Sequence, residues 1–431
     1  MKSFENVRGM RDFLPDDLTK RKFVEGRVRD CFRSYGYEEV ETPVIEYLDL
    51  LSARAGEEIR HRMFAFKDLG GRNVALRPEM TASIARVIAT KLRLEAKPLR
   101  IGYIANCFRY DNPQMGRYRE FWQAGFELFG SRSLEADAEI ITVNNDLMKR
   151  LGFSDFFIKI GDVRILRGLL GSERINESDQ SAIMGLVDKR KIKSVISFLE
   201  ERKVSNDCLK TVKKILNLKG TDYQRIVNEA RKILTQSEAS LKALNDLETV
   251  INLAQLSGVE TPFLLDVGFA RGLEYYTGMI YEIFVSDLGI ALGGGGRYDG
   301  LVELFGGEHT PAVGCAPGID RIVLAMEKKN LFPASLGATD KVLVIPVSEA
   351  LSAKALEITA ILRSNGISAQ NEVTGRSIGA ALSYADKKGY SYTIIFGPRE
   401  LEKNCVTIRF MKTKEQKEVL ISEIADNIKH S

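Results

Sequence analysis

The sequence predicts an α+β fold that carries a helical insertion and is followed by a separate α/β domain. Three observations lead to this prediction. Two strand-like segments, 101–109 and 119–130, flank the polar loop 110–118 and are expected to form a hairpin. Residues 172–245 are rich in charged residues, have helical apolar spacing and contain almost no aromatic residues. Residues 341–396 alternate short apolar strands with amphipathic helices, which is typical of a small α/β domain.

The first element is a predicted helix over residues 17–36. Its apolar residues recur at helical spacing on one side, at Phe23, Val24, Val28, Cys31 and Phe32. Gly36 is a helix stop signal, and a strand is expected over Val40–Thr42, ending at Pro43.

Strands resume after the insertion, at Phe263–Val267 and Tyr275–Val285. Pro333 and Gly337 then lie among polar residues, which indicates a linker. Beyond it we expect strands at Lys341–Val347, near Ile367 and at Ser391–Phe396, with helices at Ala353–Ser364 and Ile378–Lys388. The expected organisation is a first domain over 1–329 with an insertion at about 172–245, a linker over 330–340 and a second domain over 341–431.

Composition excludes several classes of protein. The 431 residues are 44% hydrophobic and 28% charged, which excludes a disordered, collagenous or coiled-coil protein. The net charge of +4 permits a polyanionic partner without requiring one. Five scattered cysteines without a CxxC pair favour reduced thiols, and with only three histidines they argue against a structural zinc site. No apolar signal core or run of about 18–20 apolar residues is found, so we expect a cytoplasmic protein with no membrane partner.

The strand over 119–130 has two unlike faces. Alternate residues share a face, so Trp122, Ala124, Phe126 and Leu128 are expected to pack into a core. The opposite face carries Gln123 and Glu127 on either side of Gly125. This pattern predicts a concave polar floor with room for a ligand, and a solvated sheet face is the alternative.

Arginines frame the hairpin on both sides of its loop. Arg109 ends the first strand, and Arg117 and Arg119 close the loop. Guanidinium groups bind phosphate oxygens with two parallel hydrogen bonds, so three of them suit a polyphosphate. Salt bridges to Asp111 and Glu120 are the alternative.

Two glycine-containing segments near the end of the first domain are further ligand-site candidates. Leu292–Asp299 is a glycine run before a predicted helix at Gly300–Phe305, and it either approaches a ligand closely or forms a flexible turn. It lacks the Gly-Lys-Ser/Thr ending of a P-loop. Pro317–Met326 predicts a helix whose Arg321 lies near the positive amino terminus, where it binds an anion or makes a capping salt bridge.

The segment Ala270–Gly278 combines an arginine, two tyrosines and glycines. Arg271 is expected in a turn, and Tyr275 and Tyr276 at the start of a strand. Paired aromatic residues usually belong to a core, and a ligand contact is the other interpretation.

In this order the segments resemble the histidyl-tRNA synthetases, which are class II aminoacyl-tRNA synthetases. Three stretches are similar to the class II motifs 1, 2 and 3: Gly36–Pro43, Phe108–Gly130 and Gly314–Met326. Three more are similar to segments of the histidine enzymes: LRPEMTAS at 76–83, ARGLEYYTG at 270–278 and GGGRYDGLVE at 294–303. The tail, with GRSIGAALSYADKKG at 375–389, resembles the anticodon-binding domain that several class II synthetases share.

The resemblance implies a fold and a reaction. The fold would be a class II catalytic domain, with a mostly antiparallel sheet flanked by helices, followed by an α/β anticodon-binding domain. The reaction would be the ATP-dependent ligation of histidine to tRNA(His) through a histidyl-adenylate, with Mg²⁺ accompanying the ATP. Motif 1 would form the interface of a homodimer, and the insertion would contact the acceptor arm of the tRNA or remain a solvated surface.

The resemblance also implies which residues bind the phosphates. Arg109 would bind the α-phosphate and orient the carboxylate of histidine, and Arg271 would lie on the other side of that phosphate. Both would therefore be catalytic. Arg321 and Arg117 would bind the γ-phosphate end of ATP. No residue is assigned as a metal ligand.

The histidine-binding residues implied by the resemblance form two sets. Those that bind the α-ammonium group would be Glu79, Thr81 and Gln123. Those at the imidazole ring would be Glu127, Tyr275 and Tyr276.

The chain departs from the family pattern at two positions. Asp111 stands two residues after Arg109, where the family commonly has glutamate. Met80 stands between Glu79 and Thr81, where glycine is common, and its side chain is expected to point away from the substrate.

The resemblance leaves three alternative functions. An inactive relative, such as the regulatory subunit of ATP phosphoribosyltransferase, would typically lack the tail and the arginine at 271. A sensor of uncharged tRNA would not need Arg109, Arg271 and Arg321. A class II enzyme for another amino acid would not need Glu127 or the ARGLEYYTG segment.

Overall fold

The computed structural model describes residues 4–53, 55–112, 116–271, 275–337 and 340–429. The chain divides into two compact units, Met1–Ala334 and Ser335–Ser431. The predicted linker 330–340 spans this division, and its residues 338–339 lie outside the described part. No helix within the described ranges is both long and apolar enough to cross a membrane.

The first unit contains the following elements in chain order. Its strands are β1 Glu38–Glu39, β2 Ile45–Tyr47, β3 Ala65–Lys67, β4 Asn73–Leu76, β5 Leu99–Phe108, β6 Glu120–Phe129, β7 Phe156–Asp162, β8 Lys219–Gly220, β9 Phe263–Asp266, β10 Met279–Val285, β11 Ala291–Arg297 and β12 Ala312–Cys315. Its helices are α1 Pro15–Tyr35, α2 Leu48–Ser52, α3 Gly56–Arg60, α4 Thr81–Thr90, α5 Leu134–Arg150, α6 Val163–Ser172, α7 Glu177–Asp188, α8 Ile192–Glu201, α9 Asn206–Asn217, α10 Tyr223–Ile233, α11 Glu238–Leu256, α12 Leu301–Leu304 and α13 Ile319–Lys328.

A large, mostly antiparallel sheet is the frame of the first unit. In the described ranges its strand order is β1-β5-β6-β12-β11-β10-β7-β9-β8, and only the pairs β1–β5 and β7–β9 are parallel. Three further strands form a separate small sheet in the order β2-β4-β3. This arrangement confirms the predicted fold class for the first unit.

Helix α1 packs on the large sheet through the side that the sequence predicted. Val24, Val28, Cys31 and Phe32 are buried, and Gly36 ends the helix in a left-handed conformation with φ 70°. In β5, Gly102 makes room for this packing, because a Cβ at that position would lie 2.6 Å from the ring of Phe32. The strand predicted at Val40–Thr42 is wrong, since the strand here is the two-residue β1, although the Val40 amide donates to Gly102 O at 2.9 Å.

The glycine run was assigned to a turn in one interpretation, and that interpretation is wrong. Residues 291–297 form β11, an interior strand between β10 and β12. The glycines allow close approach of the neighbouring backbones, because a Cβ on Gly295 would lie 1.9 Å from the carbonyl oxygen of Gly314. The strand predicted from Tyr275 begins only at Met279.

Four helices, α7–α10, lie within the predicted insertion at about 172–245. The short strand β8 also lies there and pairs with β9 at the edge of the large sheet, which the sequence did not predict. Helix α11 runs through residue 245, so the limits of the insertion stay a prediction.

The second unit is a five-stranded sheet with helices. Its strands are β13 Lys341–Pro346, β14 Ser368–Asn371, β15 Tyr392–Phe396, β16 Cys405–Phe410 and β17 Gln416–Leu420, and its helices are α14 Ser352–Ser364, α15 Ile378–Lys387, α16 Pro398–Glu402 and α17 Ile424–Lys429. Within the described residues the strand order is β14-β13-β15-β16-β17, with β13 parallel to both neighbours. The predicted βαβαβ succession over 341–396 is confirmed.

Candidate active site

One cavity of about 350 Å³ in the first unit is lined by all but one of the site residues predicted from the sequence, Arg119 being the exception. Its lining includes residues of β6, β11 and β12 and residues at the amino termini of α4 and α13. The named residues that line it are Glu79, Thr81, Arg109, Arg117, Gln123, Glu127, Arg271, Tyr275, Tyr276 and Arg321. Residues 113–115 and 272–274, which belong to two of the family-like segments, lie outside the described residues.

Glu127 is a carboxyl group buried at the floor of the cavity, with 1% of its surface exposed. One oxygen, Oε1, accepts hydrogen bonds from the hydroxyl groups of Thr81 at 3.1 Å and Tyr103 at 3.4 Å. The other, Oε2, accepts one from the hydroxyl of Tyr298. Burial raises the pKa of Glu127 to about 8 against the opposing effect of these hydrogen bonds, and the nearby Glu79 carboxylate raises it further. A ligand that carries N–H groups or positive charge would therefore bind here and favour the ionised form.

The space around Glu127 is created by a glycine on the neighbouring strand. Gly314 in β12 is paired with Glu127 in β6. A Cβ on Gly314 would lie 1.6 Å from Oε2 of Glu127. Gly314, which belongs to the segment similar to motif 3, has no side chain, and the carboxylate of Glu127 occupies the space that a side chain there would fill.

Gln123 and Glu127 both line the cavity, but the space for a ligand does not lie over Gly125. Tyr103, the cross-strand partner of Gly125 in β5, fills the space over that glycine, and a Cβ on Gly125 would lie 2.0 Å from its ring. The ligand space lies instead next to Glu127, Gln123 and the β11–β12 pair. Trp122, assigned to the core face, packs against the core and also lines the cavity.

Glu79 and Thr81 are held at the amino terminus of α4. The carboxylate of Glu79 accepts the amide hydrogens of Thr81 at 2.7 Å and of Ala82 at 3.0 Å. These two bonds leave other lone pairs of the carboxylate for a donor in the cavity. Met80 is buried in the core and does not line the cavity, as the sequence analysis expected.

Four arginines also line the cavity: Arg109, Arg117, Arg271 and Arg321. Arg109 donates to the carbonyl of Pro78 at 2.7 Å and lies 5.1 Å above the ring of Phe121. Arg321 donates to the carbonyl of Ala291 at 2.9 Å. Burial lowers the pKa of Arg321, and the positive charges of Arg117 and Arg109 lower it further. Clustered positive charges that repel one another in this way would bind an anion favourably.

For the hairpin arginines the sequence left open a place in a ligand site or salt bridges to nearby carboxylates, and the loop shows both. Arg117 lines the cavity while its Nε lies 3.6 Å from Asp111, which also accepts a hydrogen bond from Arg62 at 2.9 Å. Arg119 does not line the cavity. It is buried, donates to the carbonyl of Asp111 at 3.3 Å and stacks on Tyr110 at 3.6 Å. Arg117 therefore remains a candidate for binding phosphate, and Arg119 does not.

Arg271 enters the cavity beside β10 and β11. Its Nη1 lies 3.4 Å from the carbonyl of Tyr281, and its Nε lies 3.5 Å from the carboxylate of Glu282. Gly294 makes room for the guanidinium, because a Cβ there would lie 2.6 Å from Nη1. Burial lowers its pKa, but the opposing effects of Tyr276, Glu282 and other neighbouring groups outweigh it, so the net direction is upward.

Tyr275 and Tyr276 precede β10 instead of forming its start, and both line the cavity. Their ring centroids are 4.9 Å apart, and the guanidinium of Arg271 lies 5.8 Å from the ring of Tyr276. The prediction that the two tyrosines begin a strand is therefore wrong. The two rings pack against each other in the cavity lining, and Arg271 lies next to the ring of Tyr276.

The sequence analysis gave no role to Tyr103 and Tyr298, which hold Glu127. Tyr298 lies in the GGGRYDGLVE segment, so its segment was noticed but its side chain was not. Tyr103 could be found only from the register that pairs it with Gly125.

The part of the chain that the structure describes contains no group of three or more His, Cys, Asp or Glu side chains suited to a metal ion. Glu282 is a cavity carboxylate next to Arg271. Mg²⁺ at nucleotide sites is usually held by one or two carboxylates, water and phosphate oxygens, and this donor fits that pattern.

Comparisons with known proteins agree on one family. A family model described as histidyl-tRNA synthetase matches residues 9–322, and a model described as anticodon binding domain matches residues 341–431. The chain is 41% identical over 432 residues to a histidine–tRNA ligase of Pyrococcus furiosus, covering 99% of both chains. It is 39% identical over 425 residues to a histidine–tRNA ligase of Methanocaldococcus jannaschii, covering 98% of this chain and 99% of that one.

Solved structures give the same result for the fold. A histidyl-tRNA synthetase from Nostoc sp. PCC 7120 superposes with a TM-score of 0.78 at 25% identity, covering 100% of both chains. A protein from Bacillus halodurans described as an ATP phosphoribosyltransferase regulatory subunit/histidyl-tRNA synthetase gives a TM-score of 0.77 at 27% identity, covering 92% of this chain and 99% of that one.

Proposed function

The chain belongs to the histidyl-tRNA synthetase family, and from this premise we propose how its cavity activates histidine. The protein is a histidine–tRNA ligase that charges tRNA with histidine and uses ATP as a substrate. The proposal concerns the residues and the order of events. It is supported mainly by one cavity whose lining brings together two carboxylates, Glu79 and Glu127, and four arginines, Arg109, Arg117, Arg271 and Arg321.

Histidine would bind with its two cationic or N–H-bearing ends at the carboxylates. Glu79, Thr81 and Gln123 would bind the α-ammonium group, because Glu79 has lone pairs left after its two backbone hydrogen bonds. Glu127 and Tyr276 would face the imidazole nitrogens, with Tyr275 beside them. An apolar amino acid would supply no N–H group or positive charge to the buried Glu127, and such a mismatch can lower kcat/KM relative to histidine by about 10⁴-fold.

The carboxylate of histidine would then attack the α-phosphorus of ATP. A carboxylate oxygen–phosphorus bond forms, the bond to the bridging oxygen breaks, and pyrophosphate leaves with that electron pair. Arg109 and Arg271 would contact the α-phosphate oxygens as they gain charge, while Arg117 and Arg321 would hold the γ-phosphate end. Cations fixed in place before the reaction lower the barrier without reorganising.

Transfer to tRNA would follow in the same cavity. A hydroxyl group of the 3′-terminal adenosine attacks the carbonyl carbon of the histidyl-adenylate, and AMP leaves. Bound Mg²⁺ would neutralise phosphate charge, and Glu282 is the residue that would hold it. The second unit would bind the anticodon arm, and Arg376, Lys387, Lys388 and Arg399 are candidates for contact with RNA phosphates.

We further propose that the protein is a cytoplasmic homodimer. Ile45, Tyr47 and Phe66 lie on one side of the small sheet, and 48%, 56% and 44% of their surfaces are exposed. An apolar patch directly after motif 1 would be covered by a second copy of the chain. Sedimentation at micromolar concentration should give a dimer, and a fully active monomer would refute this part of the proposal. The cysteines of the described residues form no disulfide, which suits a reducing compartment.

ATP–pyrophosphate exchange with each of the twenty amino acids tests the proposal. Histidine alone should stimulate exchange, and Glu127→Gln should weaken the response to histidine more than the response to ATP. Stimulation by a different amino acid would refute the specificity. No exchange with any amino acid would favour the inactive-relative alternative.

A further inference from the structure

The amino-terminal segment over residues 4–14 takes no part in the proposed chemistry, yet it lies directly against the site. The guanidinium of Arg11 forms an ion pair with Asp320, the second residue of α13. The other oxygen of Asp320 accepts the amide hydrogen of Trp122 in β6 at 2.6 Å. One carboxylate thus joins the amino-terminal segment, the strand that carries Gln123 and the helix that carries Arg321.

A stack of alternating aromatic rings and arginines reinforces this junction. Arg11 lies 3.6 Å from the ring of Tyr118 and 4.5 Å from that of Phe13. Arg21 of α1 lies 4.5 Å from the ring of Phe13 and 4.1 Å from the ring of Trp122. The stack therefore begins and ends on the hairpin, at Tyr118 in its loop and at Trp122 in β6.

The backbone of the segment is fixed to the same hairpin. The amide of Arg119 donates to the carbonyl of Gly9 at 2.9 Å. Gly9 has φ 85°, and a Cβ there would lie 2.7 Å from Cγ of Arg119. Only glycine can combine this conformation with so close a contact.

We propose that Arg11 is a positioning residue for the triphosphate end of ATP. Tyr118 is adjacent in sequence to Arg117, and Asp320 is adjacent to Arg321, so Arg11 contacts the immediate neighbour of each arginine assigned to the γ-phosphate. Both arginines are held against mutual repulsion in the cavity. Arg11 binds neither substrate and acts through Tyr118 and Asp320. The inference rests on the proposed function of the cavity.

The position of Arg11 predicts an unequal effect on the two small substrates. Glu127 and Glu79 are held by Thr81, Tyr103, Tyr298 and the amino terminus of α4, none of which contacts Arg11 among the described interactions. Gln123 follows Trp122 on β6, so one of the groups assigned to histidine lies near the junction. Loss of Arg11 should therefore disturb the ATP half of the cavity much more than the histidine half. A displacement of catalytic groups by about 1 Å can lower a rate by up to about 10²-fold.

Steady-state exchange kinetics of three variants test the proposal. Arg11→Met keeps the aliphatic bulk and should raise the KM for ATP roughly 10-fold while the KM for histidine changes less than about 2-fold. Arg11→Lys keeps the charge and should recover part of the loss. Arg8→Met changes an exposed arginine of the same segment and should behave as the wild type. Equal KM values for ATP in Arg11→Met and Arg8→Met would overturn the proposal, whatever happens to Tm.

Binding of ATP without catalysis gives a second readout, because Trp122 is the only tryptophan in the chain. ATP titrated against the emission of Trp122 should show a midpoint roughly 10-fold higher in Arg11→Met than in the wild type. An unchanged midpoint would overturn the positioning role. A wild-type protein that binds ATP in this titration but shows no histidine-dependent exchange would refute the proposed function while leaving Arg11 testable.

Discussion

Replacement of Glu127 by glutamine separates charge from shape at the floor of the cavity. The amide has nearly the dimensions of the protonated carboxyl group, its oxygen can accept from Thr81 and Tyr103, and its NH₂ can donate to the hydroxyl oxygen of Tyr298. The fold should therefore tolerate the change. What is lost is the negative charge that histidine would bind.

The magnitude follows from the strength of the hydrogen bonds. A hydrogen bond to a charged group contributes about 1.5–3 kcal/mol and one between neutral groups about 0.5–1.5 kcal/mol. The difference, about 1–1.5 kcal/mol, corresponds to a roughly 10-fold higher KM for histidine. The KM for ATP should stay within about 2-fold, because ATP would contact the arginine group instead.

The effect should depend on pH, because the pKa of Glu127 is raised to about 8. In the wild type the carboxyl is largely protonated below pH 7, so kcat/KM for histidine should rise between pH 6.5 and about 8.5 as it ionises. Glu127→Gln should show no such rise. The two proteins should thus differ little at pH 6.5 and roughly 10-fold at pH 8.5.

The stability of the wild type should fall over the pH range in which its kcat/KM for histidine rises. A carboxyl group whose pKa is higher in the folded than in the unfolded state stabilises the fold fully below pH 4.5, and this contribution is lost as the pH rises to about 8. The full difference corresponds to about 5 kcal/mol. Because glutamine does not titrate, the Tm of Glu127→Gln relative to the wild type should increase from pH 5 to pH 8.5.

Pyrophosphate exchange at several pH values, beside melting curves, makes these comparisons. Glu120→Gln is the matched control, since Glu120 lies on the same strand, accepts from Asn106 at 2.9 Å and does not line the cavity. If both variants keep the wild-type KM for histidine at pH 8.5, the assignment of Glu127 to the imidazole is refuted.

Three other substitutions test separate parts of the site and its support. Arg271→His should slow adenylate formation about 10²–10³-fold in rapid-quench experiments and affect transfer from preformed adenylate much less; equal losses with a lower Tm would indicate a structural role. Gly314→Ala should raise the KM for histidine at least about 10-fold by displacing the site carboxylate, whereas Gly318→Ala, whose Cβ would meet nothing closer than 3.6 Å, should not. Asp137→Asn should cost about 3 kcal/mol in urea unfolding, because it removes the carboxylate charge 2.9 Å from the buried Arg297 and leaves Asp299, at 3.0 Å, as its remaining carboxylate; a loss under about 1 kcal/mol would contradict this.

Features encoded over a few neighbouring residues could be predicted from the sequence. The α1 helix has its apolar residues at helical spacing and its stop at Gly36, and the hairpin strands alternate in polarity around a polar loop. Gln123 and Glu127 share a face because the period of a strand is two residues. These predictions needed no knowledge of what packs above them.

Features that depend on cross-strand neighbours could not be predicted. Gly125 gives its space to Tyr103, and Gly314 gives its space to Glu127, and both facts follow from the register of paired strands. The glycine run forms β11 because its neighbours on both sides come close to its backbone, and a local pattern of glycines does not distinguish this from a turn. The ion pair between Arg11 and Asp320 joins residues 309 positions apart, so no local sequence pattern could predict it.

A crystal structure with a non-hydrolysable analogue of histidyl-adenylate tests the central claim most directly, since it locates both halves of the intermediate at once. We expect one imidazole nitrogen within about 3.2 Å of the Glu127 carboxylate, and the group that replaces the α-phosphate in hydrogen-bond contact with Arg109 and Arg271. An analogue bound with its imidazole more than about 5 Å from Glu127, or with its phosphate substitute away from both arginines, would contradict the account.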